Sequence, residues 1–262
     1  LDFNVRGYSH GFYNRGQDSA GILIFEQCND NVFAYNSVTH GGDGFFLWAG
    51  QTTMDTGAGG CNNNYVYKND FSYAPTNGVE ITFSKNNILE NIIKECDHGI
   101  WGGYSWKTSI YGNQFYKNRI GIAIEHGQHI NISGNTFDSN KQAAIKIWAR
   151  NSQPADWGYA QKRNTKSMNY SFWQNRFKNE NTAFDLTLTN GLTLYKNTYE
   201  NTKTEIKKDS SVQKLVINPA DVFDSVGDIP PIIESWQKKD IPVTSFAKGR
   251  KQIRITEWGP YD

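Results

Sequence analysis

Ile88-Leu89-Glu90-Asn91-Ile92-Ile93, Ile110-Tyr111-Gly112-Asn113-Gln114-Phe115 and Ile132-Ser133-Gly134-Asn135-Thr136-Phe137 are three copies of one phrase. It reads apolar, two variable residues, asparagine, one variable residue, apolar. Reading outward, the phrase recurs at Phe33…Asn36-x-Val38 and Val66…Asn69-x-Phe71 on one side, and at Phe172…Asn175-x-Phe177 and Leu194…Asn197-x-Tyr199 on the other. Successive asparagines lie 33, 22, 22, 22, 40 and 22 residues apart. A fixed period of this length marks a stack of repeated coils, each unable to bury its apolar face alone. The two long steps are one coil plus an insertion.

A second pattern follows each asparagine by seven to nine residues, a small residue and then alternating apolar positions. It reads Gly44-Phe45-Phe46-Leu47, Gly78-Val79-Glu80-Ile81, Gly99-Ile100-Trp101-Gly102, Gly121-Ile122-Ala123-Ile124, Ala144-Ile145-Lys146-Ile147 and Ala183-Phe184-Asp185-Leu186, with Gly21-Ile22-Leu23-Ile24 ahead of them. Period-two alternation turns Ile22/Ile24, Phe45/Leu47, Val79/Ile81, Ile122/Ile124, Ile145/Ile147 and Phe184/Leu186 to one side of a strand. Coils stacked at about 4.8 Å would align these pairs into a continuous core. The asparagine is expected to sit in a turn with left-handed backbone, and stacked copies can hydrogen-bond their amides along the axis. The small residue is expected to ease the bend between sheets. A β-sandwich of short strands is the competing reading, but it does not require the same asparagine every 22 residues.

The repeat resembles that of right-handed parallel β-helix proteins over residues 10–210. That broad group includes pectate-lyase-like enzymes, several glycoside hydrolases, alginate epimerases and NosD-like periplasmic proteins. The stretches Asn77-Gly78-Val79-Glu80, Gly99-Ile100-Trp101-Gly102-Gly103-Tyr104-Ser105 and Ile124-Glu125-His126-Gly127-Gln128 look like a bacterial branch of unassigned, exported members. The Asp-Pro-His motif of the epimerases is absent. The resemblance implies an all-β solenoid in a secreted or cell-envelope location, and the fold alone does not fix a reaction.

Composition agrees with a narrow-cored β protein. The hydrophobic fraction is only 37%, yet aromatics reach 14%, which separates the chain from disordered sequences. Net charge is +1 with no basic stripe, so neither nucleic acid nor an anionic membrane surface is indicated. No apolar run approaches a membrane span. Cys28, Cys61 and Cys96 show no metal-ligand spacing and cannot all pair with one another. Residues 1–210 are expected to form the solenoid and 211–240 a linker or cap containing Pro230-Pro231. Residues 241–262 are expected to begin a further β segment around Gln252–Thr256. The missing start Met at Leu1 and the abrupt end are expected of a piece cut from a longer, exported chain.

Counting from the small residue, the outward second position holds Leu23, Phe46, Glu80, Trp101, Ala123, Lys146 and Asp185. The fourth holds Phe25, Trp48, Thr82, Gly103, Glu125, Trp148 and Thr187. An outward aromatic strip beside carboxylates suits sugar rings, whose C–H faces stack while their hydroxyls hydrogen-bond; the competing reading is that insertions bury it. The insertions, from about Gly50 to Asn64 and from about Arg150 to Met168, are expected to rise as two walls around the coils of Glu80, Trp101 and Glu125. Glu80 and Glu125, with Cα atoms about 12 Å apart, could bring their carboxyls to about 6–9 Å, as an inverting glycosidase needs. Gly103 is expected to leave room for a sugar beside Glu125, and Lys146 to lie within reach of it. His98, His126 and Lys146 are candidate bases, and either histidine could instead be a metal ligand or a structural residue. Phe46, Trp48, Trp101, Trp148, Tyr104 and Asp43 are candidate substrate contacts. No cofactor is indicated, although Asp43 and Asp97 keep a Ca²⁺ site open. The expected partner is a polysaccharide or oligosaccharide, cleaved by a glycoside hydrolase ahead of a lyase; the alternatives are a non-catalytic carbohydrate-binding or adhesion module and a NosD-like accessory protein.

Overall fold

A computed structural model describes residues 1–4 and 19–220. Three parallel sheets line the stack, two of eight strands and a shorter one of five. The site sheet contains Ala20–Phe25, Asp43–Trp48, Asn77–Ile81, His98–Trp101, Ile120–Glu125, Ala143–Trp148, Thr182–Leu186 and Thr204–Lys208. The second sheet runs from Val32–Ala34 to Gln213–Ile217, and the short sheet from Ile92–Lys94 to Thr198–Glu200. Each coil visits the second sheet, the short sheet and then the site sheet before the next coil begins. Gln213–Ile217 pairs with Thr189–Tyr195, so the coils continue past residue 210. The expected linker from residue 221 onward and the β segment at 241–262 lie outside the described residues.

Register is strict because one residue of slip would exchange inside for outside. Ile22, Phe45, Val79, Ile100, Ile122, Ile145, Phe184 and Ile206 are partners in turn across the site sheet. Those from Phe45 to Phe184 are fully buried, each contributing about 1.5–3 kcal/mol. On the short sheet the residue two after each asparagine stacks likewise. Phe115, Phe137, Phe177 and Tyr199 have ring centroids 4.8, 5.1 and 5.3 Å apart and planes within 11° of parallel.

The asparagines form an unbroken ladder. Asn36, Asn69, Asn91, Asn113, Asn135 and Asn175 each donate Nδ2 to the Oδ1 of the next, ending at Asn197, at 2.9–3.1 Å. The same Oδ1 accepts the preceding asparagine's backbone N–H. The left-handed residue is not the asparagine, as expected from sequence, but the one before it: Tyr35, Lys68, Glu90, Gly112, Gly134, Gln174 and Lys196, with φ from 50° to 67°. That reversal swings the asparagine side chain under the turn, where its amide satisfies backbone groups that no strand reaches. The glycines, which lie at the second position of the site-sheet strands rather than before them, also have a different cause from the one expected. A Cβ on Gly99 would lie 2.4 Å from the carbonyl oxygen of Gly121 and 2.8 Å from the Phe115 ring. At these glycines close approach of the next coil and a core side chain, rather than backbone freedom, excludes a Cβ, whereas Ala144 and Ala183 hold the same strand position with one.

Candidate functional site

The second outward position forms one column in register. Leu23, Phe46, Glu80, Trp101, Ala123, Lys146, Asp185 and Lys207 are successive Cα partners. Beside it, Phe25 pairs with Trp48 and Glu125 with Trp148. Phe46, Trp48, Trp101 and Trp148 are half-buried, while Leu23 and Phe25 are exposed. Trp101 and Trp148 stand 5.5 Å apart, tilted at 49°. Trp101 leans across Gly103, whose Cβ would lie 3.7 Å from the indole. The space expected beside Glu125 is therefore filled by this ring.

A polar chain of one direction supports Glu80. The Arg119 guanidinium binds Asp97 and donates to His98 Nε2 at 2.8 Å, so Nδ1 carries the imidazole proton. Nδ1 donates to Asn77 Oδ1 at 3.0 Å, and Asn77 Nδ2 donates to Glu80 Oε2 at 3.0 Å. Burial, reinforced by Arg119 and Lys146 against the opposing pull of Asp97, holds the His98 pKa down at about 4. With its Nε2 lone pair taken by Arg119, His98 orients Asn77 and, through it, Glu80. His126 is similarly occupied. It bonds Thr165 O through Nδ1, accepts the Arg150 N–H at Nε2 (2.9 Å), and has its pKa lowered chiefly by burial.

Glu125 is buried, and its Oε1 accepts from Arg150 Nε at 2.8 Å. The partner expected from column counting, Lys146, instead lies over the Trp148 ring at 5.0 Å. Arg150 stands at the foot of the second insertion, where strand register cannot locate it. Asp43, a candidate contact, is buried beneath the strip. Its Oδ1 accepts from Thr76 Oγ1 and the Asn77 N–H, and so caps the next coil. Asp97 is bound to Arg119. Among the described residues no three His, Cys, Asp or Glu side chains gather as a metal site, and no helix is long and apolar enough to cross a membrane.

Parallel coils in constant register, with an asparagine ladder and an outward strip, accord with one comparison. A family model described as right handed beta helix region matches residues 9–155, more than half of the chain. The chain belongs to that right-handed β-helix family. No curated protein and no solved structure matches it.

Around the β-helix the insertions do not form two separate walls. Their short helices, α1 (Gln51–Thr56) and α2 (Gly158–Lys162), pack on one another. Gly158 lies so close to Asp55 that no side chain fits there, and Arg163 Nε donates to Gly57 O at 2.6 Å. The joined insertions roof the bend after the site sheet. There Phe83, Tyr104 and His126 stack at 4.8 and 4.7 Å, and Trp157 and Tyr159 meet Tyr104 edge-on. Tyr104 thus belongs to the roof's packing, its hydroxyl bonded to Gln153 at 3.1 Å. The Trp101 ring packs against His98 and Trp148, and the strip runs beside a single wall. Next to Trp148, Ala149 and Arg150 open into a cavity of about 620 Å³, lined also by Gln153, Gln161, Lys166 and Asn190.

Sequence counting missed Asn77, Arg119 and Arg150. It also missed two further ladders. Asn31, Asn64 and Asn86 bond in series, as do Asn118, Asn140 and Glu180. Their offsets of 33 and 22, and of 22 and 40, repeat those of the main ladder and were a usable signal.

Proposed function

We propose that this β-helix binds a polysaccharide chain along the column of Phe46 and Trp101 and across to Trp148 in the column beside it, outside the cytoplasm. The observation that carries the reading is the register that sets the half-buried rings of Phe46 and Trp101 in one outward column with Glu80, Lys146 and Asp185, with the Trp148 ring beside it. Rings at this level of exposure keep an apolar face for the C–H side of a sugar, and the flanking charges supply hydrogen bonds to its hydroxyls. The tilt between Trp101 and Trp148 favours a chain that twists from one sugar to the next over a flat crystalline surface. The cavity beyond Trp148, rich in carboxamides, extends the same polar surface.

Binding is favoured over cleavage because the candidate acid–base groups are engaged within the protein. Glu125 is tied to Arg150, His98 to Arg119 and Asn77, and His126 to Thr165 and Arg150. Cleavage is kept as a second reading by one observation: Glu80 and Glu125 share the outward face on either side of Trp101. Electrophoresis through gels containing plant, algal and microbial polysaccharides separates the two. Binding predicts retardation by at least one polysaccharide, weakened about tenfold or more by Trp101→Ala and unchanged by Glu80→Gln with Glu125→Gln. Cleavage predicts release of reducing ends, abolished by either glutamine substitution. Absence of retardation across the panel, or retardation indifferent to Trp101→Ala and Trp148→Ala, removes the proposal.

A further inference from the structure

The three cysteines are free thiols, Cys28 exposed and Cys61 and Cys96 buried. Two of them occupy the same place on adjacent coils. Between these coils the offset is 33 residues: Asn62 N donates to Asn29 Oδ1 at 2.6 Å, Asp30 N to Asn62 O at 3.0 Å, and Asn31 N to Asn64 Oδ1 at 3.0 Å. Asn29 therefore faces Asn62, and one residue earlier Cys28 faces Cys61. The spacing between neighbouring coils, about 4.8 Å, falls within the Cα separation of about 4.4–6.8 Å that disulfides span. The Cys61 sulfur lies against this neighbour, with the backbone N–H groups of Gln27 and Cys28 directed at it. Its thiol also points to the Trp48 carbonyl at 3.6 Å, at the foot of the first insertion.

We propose that Cys28 and Cys61 are a disulfide-forming pair that locks the coil bearing Phe46 and Trp48 to the coil before it. The two thiols divide the work by environment. Cys28, open to solvent, is the thiol that meets an oxidant. Burial pushes the Cys61 thiol up to about 11, so it resists direct oxidation and reacts when a sulfur is presented to it. With a small-molecule disulfide such as oxidised glutathione, the Cys28 thiolate attacks one sulfur and releases one glutathione thiolate. The Cys61 thiolate then attacks the Cys28 sulfur, forming the protein S–S bond and releasing the second. Two protein thiols are oxidised, one small disulfide is reduced to two thiols, and the two cysteine protons end on them. Cys96, in the core with its thiol directed at the Phe71 carbonyl at 3.4 Å, serves as an internal control.

The test incubates the folded chain with oxidised glutathione, caps remaining thiols with N-ethylmaleimide in denaturant, and identifies tryptic peptides by mass spectrometry. The expected result is a Cys28–Cys61 linked pair, two hydrogens lighter than the separate thiol peptides and reversed by dithiothreitol, with Cys96 capped. In Cys61→Ser, Cys28 should accumulate as the glutathione mixed disulfide. Wild-type chain in which Cys61 is capped, whether Cys28 carries glutathione or the cap, overturns the proposal.

Discussion

Glu180 ends a ladder that otherwise consists of asparagines, and replacing it with glutamine should reshape stability as a function of pH. Its Oε1 accepts the Asn140 amide at 2.9 Å, while Oε2 is buried without a hydrogen-bond partner. Burial raises its pKa from 4.5 to about 7, only partly opposed by the bonds from Asn140. Between pH 4.5 and 7 the folded chain thus holds a proton that the unfolded chain has lost, so stability falls as pH rises through this window and is level above it. At about 1.4 kcal/mol per pKa unit, the ionised form costs about 3 kcal/mol at pH 8. Glu180→Gln keeps the acceptor and the shape but cannot ionise. It should therefore match the wild type at pH 4 and exceed it by about 3 kcal/mol at pH 8, a rise in Tm of about 6–12 °C for a chain of this size. Thermal melts followed by circular dichroism from pH 4 to 8 read the difference directly. A wild-type-minus-variant difference that stays constant across that range would refute a raised carboxyl pKa at this position.

His98 has the opposite linkage. Its folded pKa of about 4 lies below the ordinary 6.5, so its contribution is complete above pH 6.5 and is lost as pH falls toward 4. His98→Gln should remove a stability slope of about 1.4 kcal/mol per pH unit in that window, measured by urea titration at pH 4.5, 5.5 and 6.5. Asn113→Ala, at a fully buried rung, removes the acceptor of the Asn91 backbone N–H and the side-chain donor to the Ile88 carbonyl. It should cost about 2–4 kcal/mol, seen as a lower urea midpoint, whereas alanine at Asn36, the half-buried first rung, should cost far less.

The coil repeat, the inward pairs and the outward column were legible because each is fixed by a periodic hydrogen-bonded register that the sequence repeats. Glu80, Trp101 and Lys146 follow from counting alone, and they share a face. The partners of the site residues were not legible in the same way. Arg150 reaches Glu125 from an insertion that has no period, and the union of α1 with α2 depends on loop paths that strand spacing does not constrain. Gly103 shows a subtler limit. Sequence gives the missing side chain, but only the tilt of Trp101 shows what fills the space. Asn77 and Arg119 fall at strand entrances, where alternation has not begun, so the chain of hydrogen bonds that holds Glu80 could not be read from column position.

The most direct test is a crystal structure of this chain soaked with an oligosaccharide from whichever polysaccharide retards it. Sugar rings should lie against the indoles of Trp101 and Trp148, with hydroxyls near Glu80 and Lys146. Sugar bound elsewhere on the molecule, with those indoles bare, would contradict that placement.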